Sequence, residues 1–239
     1  MRKGFLVHAL PMLILCCLVL LPHTASAQLL AGVHVGYGRT NYSQVLGEKN
    51  LTNTEWSSGV WANYRHEDLL FTGFYHGSLG LQDFKSSRHL AHIGASYRFL
   101  EEDMLQVYGG LGYQLLSTRF DTPQVDKGNV NTFTGHGFTG QVVVDIAITE
   151  ELRTMATVVA NPWVKWAHQT NNITDGNIDS GHAFLYKLEL FYDFSTDFGA
   201  HLSVLGNTYR VPSFSRDTGD IGETKSSSVS VNLGVTRHF

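Results

Sequence analysis

Period two governs this sequence, and it leaves few folds open. Leu29, Ala31, Val33, Val35 and Tyr37 alternate with Leu30, Gly32, His34, Gly36 and Gly38. Near the other end Val229, Val231, Leu233 and Val235 alternate with Ser228, Ser230, Asn232 and Gly234. A strand turns successive side chains to opposite faces, so each run has one apolar face and one small or polar face. The same pattern marks strands near Glu55 to His66, Leu69 to Ser78, Arg88 to Phe99, Met104 to Leu116, Thr132 to Ile148, Leu152 to Trp166, Ala183 to Phe194 and Phe198 to Tyr209. No window after Gln28 holds the roughly 20 continuous apolar residues of a membrane helix.

The connections between these runs are of two kinds, and the kinds alternate. Short turns fall at Glu67-Asp68, Glu101-Glu102-Asp103, Thr149-Glu150-Glu151 and Ser195-Thr196-Asp197. Longer polar stretches fall near Ser43 to Thr54, Leu79 to Ser87, Ser117 to Asn131, Ala167 to His182 and Arg210 to Thr224. A soluble sandwich has no reason to keep that order. Short turns at one end and long loops at the other are the layout of a transmembrane barrel with both termini in the periplasm. Such a sheet must close on itself, because unpaired strand edges cannot be hydrogen-bonded inside hydrocarbon. The expected fold is therefore all-β, a transmembrane antiparallel up-and-down β-barrel of about ten strands at roughly 9 to 11 residues per crossing, with eight or twelve strands left open.

Composition agrees with a wall that is apolar outside and polar inside. Charged residues are only 16% of the chain and aromatics 12%, yet mean hydropathy is −0.08, as expected where lipid-facing and lumen-facing residues alternate. If Phe184, Tyr186, Leu188, Leu190 and Tyr192 meet lipid, then Lys187, Glu189 and Asp193 point inward. If Ala91, Ile93, Ala95 and Tyr97 do, then Arg88, His92 and Arg98 point inward, and the same parity places Asp145, Arg153, Lys165 and His201 in the lumen. A charge on the lipid face near the midplane costs about 2 to 4 kcal/mol, which accounts for this segregation. The expected lumen ion-pair network is thus Arg88, Arg98, Asp145, Arg153, Lys165, Lys187, Glu189 and Asp193. Tyr37, Trp56, Tyr64, Tyr97, Tyr113, Trp166, Tyr192 and Tyr209 recur near strand ends, where interfacial aromatic girdles sit.

Residues 1–27 read as a secretory leader. Arg2 and Lys3 precede an apolar run from Phe5 to Leu21, and Ala25-Ser26-Ala27 supplies a cleavage site. Pro11 and Pro22 bracket the run and shorten it below a comfortable span. The expected division is a signal peptide over 1–27 and a barrel over 28–239 that begins at Gln28. Both cysteines, Cys16 and Cys17, lie in the leader, so the mature chain has no disulfide, thiol nucleophile or cysteine metal site. Loss of Arg2 and Lys3 leaves it more acidic than the −4 of the whole chain, and no clustered basic face points to nucleic acid.

The chain ends in Phe239, preceded at every second position by Val235, Leu233, Val231 and Val229. This resembles the C-terminal strand signature of bacterial outer-membrane proteins, which the barrel assembly machinery reads. Arg237 departs from it, standing where an aromatic or apolar residue is usual. In architecture the mature chain is similar to the small outer-membrane barrels of the opacity type and to solitary autotransporter-like barrels. The resemblance implies the outer membrane of a diderm bacterium as location, outer-membrane lipid around a monomeric wall, the assembly machinery as partner during biogenesis, and long loops available to an extracellular ligand.

Several barrels of this size are enzymes, so the candidate constellations need weighing. His201-Leu202-Ser203 resembles the His-x-Ser of lipid A deacylase barrels, but Leu202 and Val204 take the lipid face, which turns His201 and Ser203 inward, and Val204 stands where those enzymes have asparagine. The omptin proteases carry paired Asp residues and an Asp-His dyad. No Asp-x-Asp or Asp-x-His occurs here, and Asp179 and His182 share a loop at a spacing that does not match. The twelve histidines, among them His66, His76, His89, His92, His136, His168, His182 and His201, are spread over separate strands and loops. Asp217, Asp220 and Glu223 lack EF-hand spacing and read as solvated turn residues. No catalytic, cofactor or metal site is expected.

That leaves the lumen. About eight strands enclose a bore that side chains just fill, whereas open porins use 16 or more. The expected function is a structural or surface-loop-mediated outer-membrane barrel with a largely plugged lumen. The alternatives are a small passive channel and a lipid- or peptide-directed hydrolase.

Overall fold

Each alternating run folds as a strand in the computed structural model, which describes residues 27–45, 49–80, 85–121, 129–175, 178–216 and 219–239. The elements are β1 (Ala27–Val45), β2 (Lys49–His66), β3 (Leu69–Gly80), β4 (Lys85–Glu102), β5 (Leu105–Asp121), β6 (Val130–Ala147), β7 (Leu152–Thr170), β8 (Ile173–Asp175), β9 (Gly181–Asp193), β10 (Phe198–Val211), β11 (Phe214–Arg216), β12 (Gly219–Ile221) and β13 (Thr224–His238). All but β8, β11 and β12 build one antiparallel wall in the order β6-β5-β4-β3-β2-β1-β13-β10-β9-β7, and pairing of β6 with β7 closes it. The barrel therefore has ten strands, and eight and twelve are excluded. Closure joins the first strand to the last, with Tyr37 opposite Val231. The leader reading over residues 1–27 falls, apart from Ala27, outside the described residues.

The wall is inverted relative to a soluble protein. Leu111 and Phe138 are 75% and 79% exposed, and Val35, Ile93, Leu188, Val231 and Leu233 are exposed on the same outer surface. A soluble monomer rarely leaves so continuous an apolar belt bare. No helix among the described residues is long and apolar enough to cross a membrane. Tyr37, Trp56, Tyr64, Tyr97 and Tyr192 are exposed on the outer face, as interfacial aromatics must be. Two outward histidines each have a tyrosine partner, Tyr75 to His89 and Tyr113 to His136, both at 2.6 Å between hydroxyl and Nδ1.

The strands run further than the alternation marks. β1, β2, β4, β6 and β7 hold 18 or 19 residues, about twice what one tilted crossing needs. The extra length lies at the long-loop end, where the outer face turns polar: Asn41, Ser43, Lys85, Arg119 and Asp121 are all exposed. Outside hydrocarbon the ladder continues but the apolar half of the period is lost, so the sequence signal ends before the strand does. β7 and β8 are joined through Asn171 and Asn172, both at positive φ (51° and 68°), the pair of left-handed residues a two-residue hairpin turn needs.

Candidate functional site

The one interior this fold offers is the lumen, and it is built in layers from inward-facing residues. At the long-loop end Tyr42 packs edge-on against Phe120 with ring centroids 4.9 Å apart, and Phe133 stacks near His168 at 4.7 Å. His168 in turn lies 5.1 Å from Phe214 on β11. Trp166 and Tyr209 close the same cap at 5.1 Å. These two were expected in the outer girdle; both are buried inside.

Beneath the cap lies a charged layer. Glu55 on β2 accepts hydrogen bonds from Tyr42 (3.0 Å), Ser78 (2.6 Å) and Arg88 (3.2 Å). Arg88 also donates to Thr40 (2.6 Å) and Ser228 (2.7 Å), so its guanidinium ties β4 across the bore to β1 and β13. The gap left here is about 10 Å³, room for a single water.

The next layer mixes rings and charges. Glu189 holds Lys187 Nζ at 3.0 Å and His201 Nε2 at 3.0 Å. The Lys187 ammonium lies 5.0 Å from the Phe74 centroid and 5.9 Å from that of Trp61, so both rings stabilise it through their faces. His201 stacks on Phe191 at 5.0 Å, and His34 Nε2 meets His76 Nδ1 at 3.2 Å. Glycines make this density attainable. A Cβ on Gly32 would stand 2.7 Å from the Trp61 ring, and one on Gly59 would stand 2.5 Å from His34 Nε2.

Towards the short-turn end Asp145 on β6 pairs with Arg65 and with Arg153, the latter at 3.0 Å from Nε. Below them a vestibule of about 330 Å³ opens at the end where β1 begins and β13 finishes, lined by Gln28, Leu30, Asn63, Leu70, His238 and Phe239 beside the two arginines.

The sequence-derived lumen set is thus divided. Arg88, Asp145, Arg153, Lys187 and Glu189 face the bore and enter ion pairs there. Arg98 and Asp193 share the inward parity but sit at the short-turn rim. Arg98 bonds Asp68 (2.6 Å) and Glu101 (2.8 Å), and Asp193 meets His238 Nε2 at 2.9 Å. Lys165 does not face the lumen and is corrected to the outer surface, where it is exposed. The cause is one extra residue in β7. On β9, Ala183 and Gly181 pair with Asn161 and Val164, so three steps on β7 answer two on β9. Pro162 and Trp163 both turn outward across this bulge, and the parity of every later β7 residue is reversed.

Glu55 and Arg65, the partners of Arg88 and Asp145, were missed. Both occupy odd positions of β2, a signal the sequence carries, but Trp61 between them makes that face look no more polar than the other. His201 and Ser203 do face inward, yet His201 Nε2 is engaged by Glu189, while Ser203 lies 3.5 Å from Asn232 Nδ2. Asp179 and His182 are exposed. In the last long connection Asp220 accepts from Ser215 at 2.6 Å, and Glu223 is bound by Lys225 at 2.6 Å and by Arg210. These pairings, the Lys225 hydrogen bond first, hold the Glu223 carboxyl below its usual pKa. Asp217 lies outside the described residues. Among the described residues no group of three or more His, Asp or Glu side chains is arranged around a metal position.

No protein-family model matches the sequence, and no curated protein does. Solved structures share its architecture. The outer-membrane protease OmpT from Escherichia coli superposes with a TM-score of 0.57 over 92% of this chain and 99% of that one, at 9% identity. The translocator domain of the autotransporter NalP from Neisseria meningitidis covers 99% and 96% at 13% identity, with a TM-score of 0.47. The neisserial surface protein NspA covers 87% and 97% at 14% identity, with a TM-score of 0.39. At such identities the likeness to OmpT is one of fold, a closed ten-stranded antiparallel barrel.

Proposed function

We propose that this chain is an integral protein of a bacterial outer membrane whose barrel does not conduct, and that it serves as a structural component or acts through its long loops. What supports a membrane location is the exposed apolar belt with its aromatic edges, together with the architecture it shares with an outer-membrane protein. What supports a closed lumen is a single observation. Gln114, Glu189, His201 and Asn232, polar side chains on four different wall strands, are each only 1% exposed. A water-filled bore would leave them wet, and ten strands lie at the narrow end of the range in which side chains alone fill the interior.

A non-enzymatic role is part of the proposal. The protease fold supports a scaffold and nothing finer, and the inward His201 is held by Glu189 and not by Ser203. Purified protein reconstituted into planar bilayers is the direct test. It should show no steady conductance, and stable, ion-selective steps would overturn the reading in favour of a small channel. Location is tested separately. The protein should fractionate with outer membranes, migrate differently on gels before and after boiling, and begin at Gln28; a soluble periplasmic pool of folded protein would sink it.

A further inference from the structure

We infer that the vestibule at the short-turn end is a binding site for a small amphipathic anion, a carboxylate carrying a short apolar body, entering from the periplasmic side. Only the side of entry rests on the outer-membrane reading above; the site itself is read from the chain. Its floor has an excess of positive charge. Arg65 and Arg153 both pair with Asp145, and among the described residues no other carboxylate is within ion-pair distance of either guanidinium. Each arginine brings five N–H donors, and one carboxylate cannot accept ten.

Both guanidiniums are held in place without a ligand. Arg65 lies 5.8 Å from the centroid of Tyr108, and Arg153 lies 5.3 Å from that of Phe191. Each is thus fixed by a ring on one side and by Asp145 on the other, so an incoming anion need order neither. Both keep about a quarter of their side-chain surface exposed, at 22% and 25%, while Asp145 keeps 4%. The cations face the opening and the acid is behind them.

The shape sets the rest of the ligand. The space of about 330 Å³ is at the lower end of small-molecule pockets, and it is blind, since Met155 above it is fully buried and bonded through Sδ to Asn63 at 3.7 Å. Leu29 and Phe239, both half-buried, give the mouth a narrow apolar wall, with the buried Leu30 and Leu70 behind it. A bare inorganic anion would satisfy the arginines and leave that wall wet, whereas a short alkyl or aryl carboxylate satisfies both.

Titration of the detergent-solubilised barrel in a non-ionic detergent with hexanoate, acetate, hexanol and inorganic phosphate tests this, with heat-modifiability on gels confirming that each sample is folded. Hexanoate should bind saturably at one site, more tightly than acetate, hexanol or phosphate. Arg65→Gln leaves the Arg153–Asp145 pair intact and removes the excess charge. It should weaken hexanoate about tenfold or more, the worth of one charge-assisted hydrogen bond. Asp145→Asn removes the competing acid and should tighten hexanoate several-fold even though it costs the barrel two ion pairs. A purely structural arginine cluster predicts the opposite, with both variants less stable and neither changing hexanoate binding. The proposal is overturned if folded native protein gives no saturable hexanoate binding, if hexanol binds equally well, or if both variants bind as the native protein does. Because this assay needs neither a membrane nor a current, a conducting barrel would refute the closed-lumen reading and leave this result standing.

Discussion

Glu189 is the clearest case of a residue whose value depends on what surrounds it. It neutralises Lys187 inside a shell of Trp61 and Phe74, and it fixes His201. Glu189→Ala leaves a buried ammonium uncompensated and should cost about 3 to 5 kcal/mol in urea unfolding of the reconstituted barrel. Lys165→Ala, on the outer surface, should stay within about 0.5 kcal/mol. Had Lys165 been part of the lumen network, the two would behave alike. Glu223 makes a pH prediction outside the membrane. Its pKa is lowered in the folded state by Lys225 and Arg210, so its contribution is complete above the ordinary carboxylate range and is lost as pH falls through the depressed value. Hydrogen exchange of the Thr224 amide should rise on that descent, and Glu223→Gln should remove the pH dependence. An unchanged profile in the variant would assign the effect to another acid.

At the scale of the element, the β7 bulge decides which residues the strand shows to lipid. Deleting Trp163 alone removes the extra residue and leaves Val164, Trp166 and His168 inward, whereas deleting Pro162 and Trp163 together sends Lys165 into the cap and turns Trp166 and His168 outward. Folding yield, read as the heat-modifiable band, should collapse in the double deletion, whereas the single deletion and Trp163→Ala should fold normally. Good folding of the double deletion would mean that the facing of β7 beyond Asn161 is slack and not a determinant. The wall also has a depth profile. Leu188→Arg near the middle of the belt should cost about 2 to 4 kcal/mol, and Thr134→Arg near the polar rim about 0 to 1. Inward positions are no neutral control for this series. Asn232 bonds Ser57 and Ser230 in a space with no slack, and an arginine there would overpack the lumen.

For the whole molecule, the closure of the bore is distributed over layers and not assigned to one plug. The cap includes Phe214 and Ile221 from the β11–β12 hairpin, but the layers under it come from wall strands alone. Replacing residues 212–223 by a short turn should therefore leave the barrel non-conducting in planar bilayers. A pore appearing in that variant would locate the seal in the hairpin, and the reading of a side-chain-filled lumen would fail. The same layering gives the molecule a polarity. It is closed by aromatic rings where the long loops are and cupped where β1 begins and β13 finishes, so a small ligand has access from one side.

The architecture was legible because its cause is local. Side-chain period two is a property of the extended backbone, and in a bilayer one phase of it must be apolar. The outward Leu188 and Leu190 and the inward Lys187 and Glu189 could therefore be assigned from their own strand. The alternation of short turns with long loops then implied closure and orientation. What the sequence alone did not determine is which inward residues meet. Arg88 reaches Ser228, 140 positions away, and Asp145 gathers Arg65 and Arg153 from two other strands. Those meetings depend on how the sheet is staggered as it closes, a property no single strand carries. The reversal at Pro162 and Trp163 was hidden for the same reason. A bulge is defined by counting residues against a partner strand, and only in the assembled barrel are Asn161 and Val164 set against Ala183 and Gly181.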